Sequence, residues 1–401
     1  MSQQRQRALP QQDQISAPLT PTQKRIAIIG AGPAGLEAAH YAVAGGFTVR
    51  VFEAAAEVAP NVRRYGHLSL VSSWSMLTTP VGRNAISEKE HRPADSPRAA
   101  IHPSGEEFLR RYLVPMAMSL PPKALWLDTR VVALTRPYLP PGTLPTVDCG
   151  GNTATPMRLL TRNSASGEER TWSVDYVLDC TAGGRVPSWS GGGGIPAIGE
   201  MGCTHMIYRN IPDVLGKDRP KFAGKSTLLL GCDANSATTA HLLSELAELH
   251  PDTKILWAVE HDGALPCPTV EAQNSSRNQL VVGQANLLVK SHRPYLAYSN
   301  RTFVEETRYN YDAKKFFVTL QVDRQTKRYQ FDNIVANVGQ RQETSYLNCL
   351  SPADPSFFTL GAMDPAGSDS PIRIIHRELR DKFRIICSDP ALDLYGFDAP
   401  P

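Results

Sequence analysis

The sequence lacks any close pair of cysteines. Its seven cysteines are spread along the chain, and the closest two, Cys180 and Cys203, stand 23 residues apart. This spacing excludes a C-x-x-C redox pair and the usual zinc sites, so no metal centre is expected. An odd number of cysteines without a secretory signal indicates reduced thiols. Cys180 and Cys232 fall at the ends of predicted strands, where small buried residues are expected.

The sequence also lacks long apolar runs and a strong net charge. No apolar stretch approaches the roughly 20 residues that a spanning helix needs. The first 23 residues, rich in Gln and Pro, read as a disordered tail without the apolar core of a secretory signal. A net charge of +3 over 401 residues gives no support for binding nucleic acid or a membrane surface. We therefore expect a soluble cytoplasmic protein of two or three domains. The sequence leaves open whether it forms a homodimer.

The sequence does contain a glycine motif between two short apolar strands. The strands are predicted over residues 25–29 and 48–52, and Gly30, Gly32 and Gly35 follow the first at G-x-G-x-x-G spacing. Gly30 permits a tight turn, Gly32 lets the backbone approach a pyrophosphate, and Gly35 allows a helix to pack closely on the strand. The N–H groups and the positive dipole end of that helix favour phosphate binding.

An acid at the end of the second strand completes this motif. Glu53 lies 23 residues after Gly30, where a carboxylate can accept hydrogen bonds from the ribose hydroxyls of an adenosine. A glycine turn without a ligand would leave this acid unexplained. The strand, the glycines, the helix and the acid together predict a dinucleotide site.

Irregular and regular segments alternate from there to residue 200. Residues 61–87 show no clear period, and such long loops are often functional. Ser104 and Glu107 fit the capping box of a helix. Residues 185–200 form a glycine-rich linker in which no regular element is expected. Strands are predicted over residues 124–134, 157–162, 170–174 and 175–184, with a hairpin loop over residues 137–151.

The second half repeats the architecture of the first. Residues 222–260 read as strand, turn, helix and strand, which indicates a second βαβ unit. Five more strands and a closing helix are predicted over residues 303–306, 316–322, 329–331, 333–339, 357–361 and 371–386. The predicted fold is α/β, with two Rossmann-like, three-layer dinucleotide-binding domains, the second inserted into the first. The predicted divisions are a tail (1–23), a first domain (24–200 and 341–401) and a second domain (201–340).

These features together resemble the two-dinucleotide-binding-domain flavoproteins, which include thioredoxin reductases and flavin-containing monooxygenases. The resemblance covers almost the whole chain from about Lys24 onward. It implies that the first glycine motif binds the ADP half of FAD and that the backbone at Val131 and Val132 flanks the adenine. The residues that it assigns to FAD are Gly30, Gly32, Pro33, Ala34, Gly35, Glu53, Val132, Thr181, Gly183 and Gly361.

Two parts of this assignment come from later in the chain. Residues 179–183, which include Asp179 and Thr181, resemble the family's strand-plus-glycine motif near the end of the first FAD segment. Residues 357–363 would approach the flavin when the chain returns to the first domain. Most relatives have Gly-Asp there, and this sequence has Gly361-Ala362, so one anchor for FAD is missing.

The second glycine motif departs further from the family. It offers Gly231, Asp233 and Ser236, so a carboxylate stands where pyrophosphate should meet bare backbone. Loss and retention of the nicotinamide site both stay open. If NAD(P)H binds there, Glu260 without a basic neighbour favours NADH over NADPH, because a 2′-phosphate normally needs an Arg.

The resemblance implies an FAD-dependent oxidoreductase that acts on a small molecule. The cysteine spacing excludes the usual form of protein-disulfide reduction. The F-x-G-x-x-x-H signature of flavin monooxygenases begins at Phe222 and Gly224 but has Leu228 in place of His. Monooxygenase-like or reductase-like turnover with NAD(P)H is what remains. The alternative is a non-catalytic flavin-binding sensor or binding protein with a decayed nicotinamide site.

His67, Trp74 and His205 are the candidate catalytic side chains. His67 and Trp74 lie in the irregular segment that the resemblance brings to the flavin, and His205 follows the glycine-rich linker. They are of types that orient a substrate, and histidine can act as general acid or base. A packed or surface position is the alternative for each.

Overall fold

The computed structural model describes residues 24–70, 72–90, 101–137, 155–181, 185–268, 276–350, 354 and 356–360. The predicted amino-terminal tail, most of the predicted hairpin loop, Gly183, Gly361 and the predicted closing helix lie outside these residues. No helix within them is long and apolar enough to cross a lipid bilayer.

Short strands make up both halves of the described chain. In chain order they are β1 (Arg25–Ile29), β2 (Thr48–Phe52), β3 (Leu125–Trp126), β4 (Thr129–Thr135), β5 (Met157–Asn163), β6 (Glu169–Val174), β7 (Tyr176–Asp179), β8 (Arg185–Pro187), β9 (Ser226–Leu230), β10 (Lys254–Ala258), β11 (Leu296–Ser299), β12 (Thr302–Asn310), β13 (Lys315–Val322), β14 (Gln325–Phe331), β15 (Asn333–Ala336), β16 (Gln340–Gln342) and β17 (Phe357–Thr359).

The helices connect these strands and cover the sheets. In chain order the α-helices are α1 (Pro33–Ala44), α2 (Pro60–Arg64), α3 (Trp74–Leu77), α4 (Pro80–Glu90), α5 (Gly105–Phe108), α6 (Val114–Ser119), α7 (Glu200–Cys203), α8 (Arg219–Phe222), α9 (Ala234–Leu249) and α10 (Ser276–Lys290). A π-helical turn (Leu109–Leu113) joins α5 to α6, and single 3-10 turns lie at Gly192–Gly194, Thr204–Met206 and Ser345–Leu347.

A parallel sheet in the order β17-β7-β1-β2-β3 is the centre of the first lobe. Ile26 and Ile28 on β1 are fully buried, as expected for a short apolar strand inside a parallel sheet. Helix α1 crosses β1 so closely that a Cβ added to Gly35 would stand 1.8 Å from the carbonyl oxygen of Gly30. The antiparallel sheet β4-β5-β6 completes this lobe.

The second lobe repeats this plan with a parallel sheet in the order β11-β10-β9-β15. Helix α9 links β9 to β10. Trp257 on β10 is fully buried, and its indole nitrogen donates to the carbonyl oxygen of Gly231 at 2.8 Å. The antiparallel sheet β12-β13-β14 covers the lobe. The second βαβ unit that the sequence predicts is therefore confirmed.

The second lobe is inserted into the first. The chain leaves the first sheet after β7 and returns to it as β17, which pairs with β7 in parallel. Between the two lobes, β8 on the outward path pairs antiparallel with β16 on the return path. The predicted fold class, α/β with two Rossmann-like domains and the second inserted into the first, is confirmed.

Three local predictions are wrong. Residues 61–87 are not irregular, because they hold most of α2, all of α3 and most of α4, and these short helices give little periodic signal. Prolines at the starts of α2 and α4 favour their initiation. The strand expected over residues 124–134 is broken at Asp128, whose φ of 50° is left-handed, giving β3 and β4. The linker at residues 185–200 contains β8 and a 3-10 turn.

The capping box is confirmed. The Ser104 hydroxyl accepts from the backbone nitrogen of Glu107 at 3.1 Å, and the Glu107 carboxylate accepts from the backbone nitrogen of Ser104 at 3.1 Å. These bonds satisfy amide groups that the first turn of α5 cannot pair internally.

Candidate functional site

The turn between β1 and α1 is open at its centre. Gly30 has a φ of +96°, and its backbone nitrogen donates to the carbonyl oxygen of Phe52 at 2.7 Å. Gly32 is the N-cap of α1 and no side chain caps this helix. Apart from the chain neighbours of Gly32, no atom of the described residues lies within 4 Å of a Cβ added there. The helix end is thus accessible at the point where the pyrophosphate of a dinucleotide would meet it.

Glu53 stands beside this turn at the end of β2. Its carboxylate accepts from the backbone nitrogen of Ala31 at 2.9 Å and from that of Ala55 at 3.0 Å. The side chain is thus held in one position against the glycine turn. Each carboxylate oxygen has a second lone pair that can accept a ribose hydroxyl. The predicted ribose contact fits this geometry.

Thr181 reaches the same edge of the sheet from β7. Its backbone nitrogen and hydroxyl donate to Oδ1 of the fully buried Asp179 at 2.9 and 2.6 Å. The Tyr346 hydroxyl donates to the other carboxylate oxygen of Asp179, and burial together with that charge raises the pKa of Tyr346. The methyl of Thr181 would stand 3.5 Å from a Cβ added to Gly30.

The structure thus brings together the glycine turn, Glu53 and Thr181 from three parts of the sequence. Pro33 and Ala34 form the start of α1. Val132 lies on β4, where the pairing with β5 shifts its register between Val131 and Ala133. These residues fit the ADP half of FAD. They combine a helix without a side-chain cap, open space beside Gly32 within the described residues, and the carboxylate of Glu53 held in one orientation.

A buried acid lies on the opposite side of α1. Glu37 is 1% exposed and accepts from the hydroxyls of Tyr112 and Thr79, both at 2.6 Å. Burial raises its pKa to about 7, although both hydrogen bonds and the charge of Arg83 oppose the shift. Thr79 also accepts from the backbone nitrogen of Gly82 at 3.0 Å, so this network ties α1 to the start of α4.

Replacing Glu37 with Gln should flatten the pH dependence of stability. The folded-state pKa is raised, so the contribution of this group is fully present below about pH 4.5 and is lost as the pH rises to about 7. Over that window we expect the free energy of unfolding of the wild type to fall by on the order of 3 kcal/mol. The variant lacks this titrating group and should not show this decrease. Urea unfolding at pH 5 and pH 8 measures the difference, with the exposed Glu245→Gln as control. Parallel pH profiles for the wild type and Glu37→Gln would contradict this.

The candidate catalytic side chains lie in different parts of the described chain. Trp74 begins α3 and packs on Phe108 in an edge-on contact with 6.1 Å between ring centroids. His67 is exposed, although nearby atoms desolvate its ring enough to lower its pKa. The charges that act on it include Asp213, which raises the pKa, and Lys217, which lowers it, so His67 faces a loop of the second lobe.

His205 lies within hydrogen-bonding distance of Tyr311. Its Nε2 is 3.3 Å from the Tyr311 hydroxyl, in an exposed position on the second lobe. No described contact joins His205, His67 or Trp74 to Glu53. Their catalytic roles stay predictions from the sequence.

A cavity of about 350 Å³ lies in the second lobe, where β9, β10 and β15 end. Residues from these strand ends and from the glycine-rich segment after β8 line it. They are Trp189, Ser190, Gly191, Gly194, Leu230, Gly231, Cys232, Asp233, Ala258, Val259, Glu260, Thr302, Phe303, Asn337, Val338 and Gly339. This is the position at which a Rossmann-like sheet binds a nucleotide.

Asp233 closes the helix end at this cavity. It is the N-cap of α9, and its Oδ1 accepts from the backbone nitrogens of Asn235 at 3.0 Å and Ser236 at 2.9 Å. The Ser236 hydroxyl donates back to the carbonyl oxygen of Asp233 at 2.7 Å. The amide groups that would bind a pyrophosphate are therefore occupied by a carboxylate of the chain itself. These residues do not fit the pyrophosphate of a pyridine nucleotide in its usual position.

Glu260 is also engaged by the chain. Its Oε1 accepts from the backbone nitrogen of Gly193 at 2.8 Å, so the glycine-rich segment after β8 reaches the carboxylate expected to hold a ribose. Glu200 shapes that segment from its other side. It is fully buried, accepts from the backbone nitrogens of Ser190 and Ala197, and pairs with Arg209 at 2.6 Å.

Several cavity residues could not be found from sequence spacing. Trp189, Phe303 and Asn337 come from three distant segments, and pairing between the strands and loops brings them together. Cys232 was expected to be buried, and this is wrong. It is exposed at the cavity because β9 ends at Leu230 and Cys232 lies in the turn that follows. Cys180 is buried as predicted.

Comparison with known proteins supports the fold. A family model described as an NAD(P)-binding Rossmann-like domain matches residues 28–77. A search of curated proteins by sequence finds no significant match. Among solved structures, the bacillithiol disulfide reductase Bdr (YpdA) from Bacillus cereus is 14% identical with a TM-score of 0.65, covering 92% of this chain and 100% of its own.

A monooxygenase structure and a hydroxylase structure are similar to the same extent. The FAD-bound cadaverine monooxygenase DfoA of desferrioxamine biosynthesis from Erwinia amylovora is 12% identical with a TM-score of 0.62, covering 91% of this chain and 94% of its own. The ornithine hydroxylase PvdA from Pseudomonas aeruginosa is 14% identical with a TM-score of 0.61, covering 91% and 100%. At these identities the likeness establishes the fold. The predicted resemblance to the two-dinucleotide-binding-domain flavoproteins is confirmed at that level.

Proposed function

We propose that this chain is an FAD-dependent oxidoreductase that acts on a small molecule. The observation that carries the proposal is the open turn of the first lobe. In the part of the chain that the structure describes, no side chain caps α1, and only the chain neighbours of Gly32 lie within 4 Å of a Cβ added to it. Glu53 is fixed beside it at the ribose position. A bound flavin supplies the redox chemistry, and the protein supplies binding, orientation and electrostatics.

The named relatives in fold support this class of reaction. The three similar structures are, by name, a disulfide reductase, a monooxygenase and a hydroxylase. The present sequence has no C-x-x-C pair, which favours small-molecule turnover of the monooxygenase-like kind over disulfide reduction through a protein dithiol. A homodimer and a cytoplasmic location accompany this proposal as predictions from the sequence.

The reductant is the open part of the proposal. If a pyridine nucleotide is the reductant, Glu260 favours NADH over NADPH, since no Lys or Arg among the described residues lines the cavity of the second lobe. Asp233 opposes both nucleotides, because it occupies the amides of α9. This feature favours a second candidate, a non-catalytic flavin-binding sensor or binding protein whose nicotinamide site has decayed.

We expect the purified protein to be yellow and to carry FAD, identified by its absorbance and by chromatography after release. NADH and then NADPH are added without oxygen. Rapid bleaching by NADH supports a pyridine-nucleotide-dependent enzyme. A bound flavin that neither nucleotide reduces favours another electron donor or the sensor. A colourless protein that cannot be reconstituted with FAD contradicts the flavin proposal.

We also propose that the lobes divide at the ladder between β8 and β16. Gly191 pairs with Val304 and Ile198 pairs with Glu306, which places the segment after β8 against the second lobe. The boundary expected after residue 200 would then lie about a dozen residues too late, because the glycine-rich segment packs against β12 instead of linking two domains loosely.

A further inference from the structure

We propose that the cavity of the second lobe binds a small organic amine with an apolar body, in place of a pyridine nucleotide. This inference goes beyond the proposed function and does not require flavin in the first lobe. It depends on the volume, the charge and the walls of the cavity.

The cavity is small for a dinucleotide. Its volume of about 350 Å³ lies near the lower end of the range for small-molecule sites. Trp189 and Gly191, from the segment after β8, form one wall, and the hydrogen bond from Gly193 to Glu260 fastens that segment to the end of β10. A ligand smaller than a dinucleotide therefore suits this space.

The charge of the cavity is negative. Asp233 and Glu260 are the charged residues among its described lining, and both are acids. Oε2 of Glu260 accepts no hydrogen bond within the described residues, so it can accept one from a ligand. Partial burial and these two carboxylates raise the pKa of the Cys232 thiol, which favours its neutral form. Such a site repels phosphates and attracts an ammonium group.

Two arginines lie near Trp189, and neither is among the lining residues. The guanidinium groups of Arg209 and Arg341 stand 5.8 and 5.4 Å from the ring centre of Trp189. Each of them forms an ion pair with a glutamate outside the cavity lining. Arg209 pairs with Glu200 at 2.6 Å, and Arg341 pairs with Glu343 at 3.7 Å.

The remaining walls are largely apolar. Leu230, Val259 and Val338 line the cavity from three strand ends, and the ring of Phe303 covers it from β12. A purely hydrophilic cation would leave these groups without a partner. An ammonium group on an alkyl or aromatic body satisfies the carboxylates and the apolar walls together.

Hexylamine is a suitable probe, with 1-hexanol as the neutral molecule of equal length. By titration calorimetry on the full-length protein, we expect hexylamine to bind at least about tenfold more tightly than 1-hexanol. Glu260→Gln, which keeps an acceptor for Gly193, should weaken hexylamine binding about tenfold, and the exposed Glu245→Gln should not change it. Equal binding of the two probes, or no effect of Glu260→Gln, would overturn the proposal. So would saturable NADH binding that hexylamine fails to displace.

A thiol footprint gives an independent readout. Cys232 lines the cavity, whereas Cys349 is an exposed cysteine of the first lobe. Hexylamine should slow the alkylation of Cys232 by a maleimide and leave that of Cys349 unchanged, as followed by peptide mass spectrometry. Equal rates at Cys232 with and without hexylamine count against the site. Flavin absorbance of the same samples reports separately on the first lobe, so the two proposals can fail independently.

Discussion

Replacing Gly32 with Val should leave the chain folded and remove its flavin. Gly32 has an extended backbone, with φ −78° and ψ −174°, which any residue can adopt. Among the described residues, only the chain neighbours of Gly32 lie within 4 Å of an added Cβ, so the new side chain meets no other described part of the protein. It would instead occupy the place of the pyrophosphate in front of α1. We expect FAD affinity to fall at least about 100-fold, which is about 2.7 kcal/mol.

Flavin content after gel filtration and the thermal midpoint of the apoprotein check this prediction together. Gly283→Val on α10 is a matched control, because no described residue outside the helix's own backbone comes within 4 Å of its added Cβ and it lies far along the chain from the glycine motif. The control should keep its flavin. A Gly32→Val protein that folds and retains FAD would show that the cofactor does not rest on this turn.

The neighbouring glycines make poorer tests. A Cβ at Gly35 would stand 1.8 Å from the carbonyl oxygen of Gly30, so any replacement must separate α1 from β1. Gly30 has a φ of +96°, which is strained for other residues. Loss of flavin at either position would follow from damage to the fold. Among the three glycines of the motif, Gly32 separates binding from folding.

The first lobe was predictable because its signals are local. The strands, the glycines and Glu53 lie within about 30 consecutive residues, and each acts on near neighbours. Residues 61–87 were misread because α2, α3 and α4 are too short to show a helical period. The hydrogen bonds of Glu37 to Thr79 and Tyr112 were not predicted. An acid within the otherwise apolar face of α1 is the signal in the sequence that indicates a buried polar contact.

The second site could be predicted only in part. The sequence indicated that Asp233 would obstruct a pyrophosphate by its size and charge. The structure adds a third effect, since the carboxylate accepts the hydrogen bonds that phosphate oxygens would accept. An Asp that immediately precedes a helix is a common N-cap, so this role was readable from the sequence. The positions of Trp189 and Phe303 beside the same cavity could not be predicted from the sequence, because they depend on pairing between segments more than 100 residues apart.

The two lobes therefore use the same turn in opposite ways. In the first, the helix begins at a glycine, and no side chain of the described residues caps it. In the second, the helix begins at an aspartate that binds those amides. The two units share one fold, and the N-cap residue is one feature that distinguishes what their helix ends can bind. This contrast can be tested directly.

Replacing Asp233 with Gly should open the second lobe to a pyridine nucleotide. The change removes a negative charge and releases the backbone nitrogens of Asn235 and Ser236. Exchanging an aspartate N-cap for glycine costs only a few tenths of a kcal/mol, so the variant should fold. We expect NADH to bind at least about tenfold more tightly than to the wild type, as measured by calorimetry or fluorescence, and hexylamine to bind more weakly.

Asp233→Asn separates the two causes of this effect. Asparagine caps a helix as well as aspartate does, so the amides stay occupied while the charge is removed. If the occupied amides are the main obstacle, Asp233→Asn should bind NADH nearly as poorly as the wild type, and only Asp233→Gly should gain. Equal gains in both variants would assign the obstacle to charge alone. An Asp233→Gly protein that binds NADH no better than the wild type would show that the α9 turn is not what excludes the nucleotide, and the small size of the cavity that Trp189 lines would then be the remaining cause.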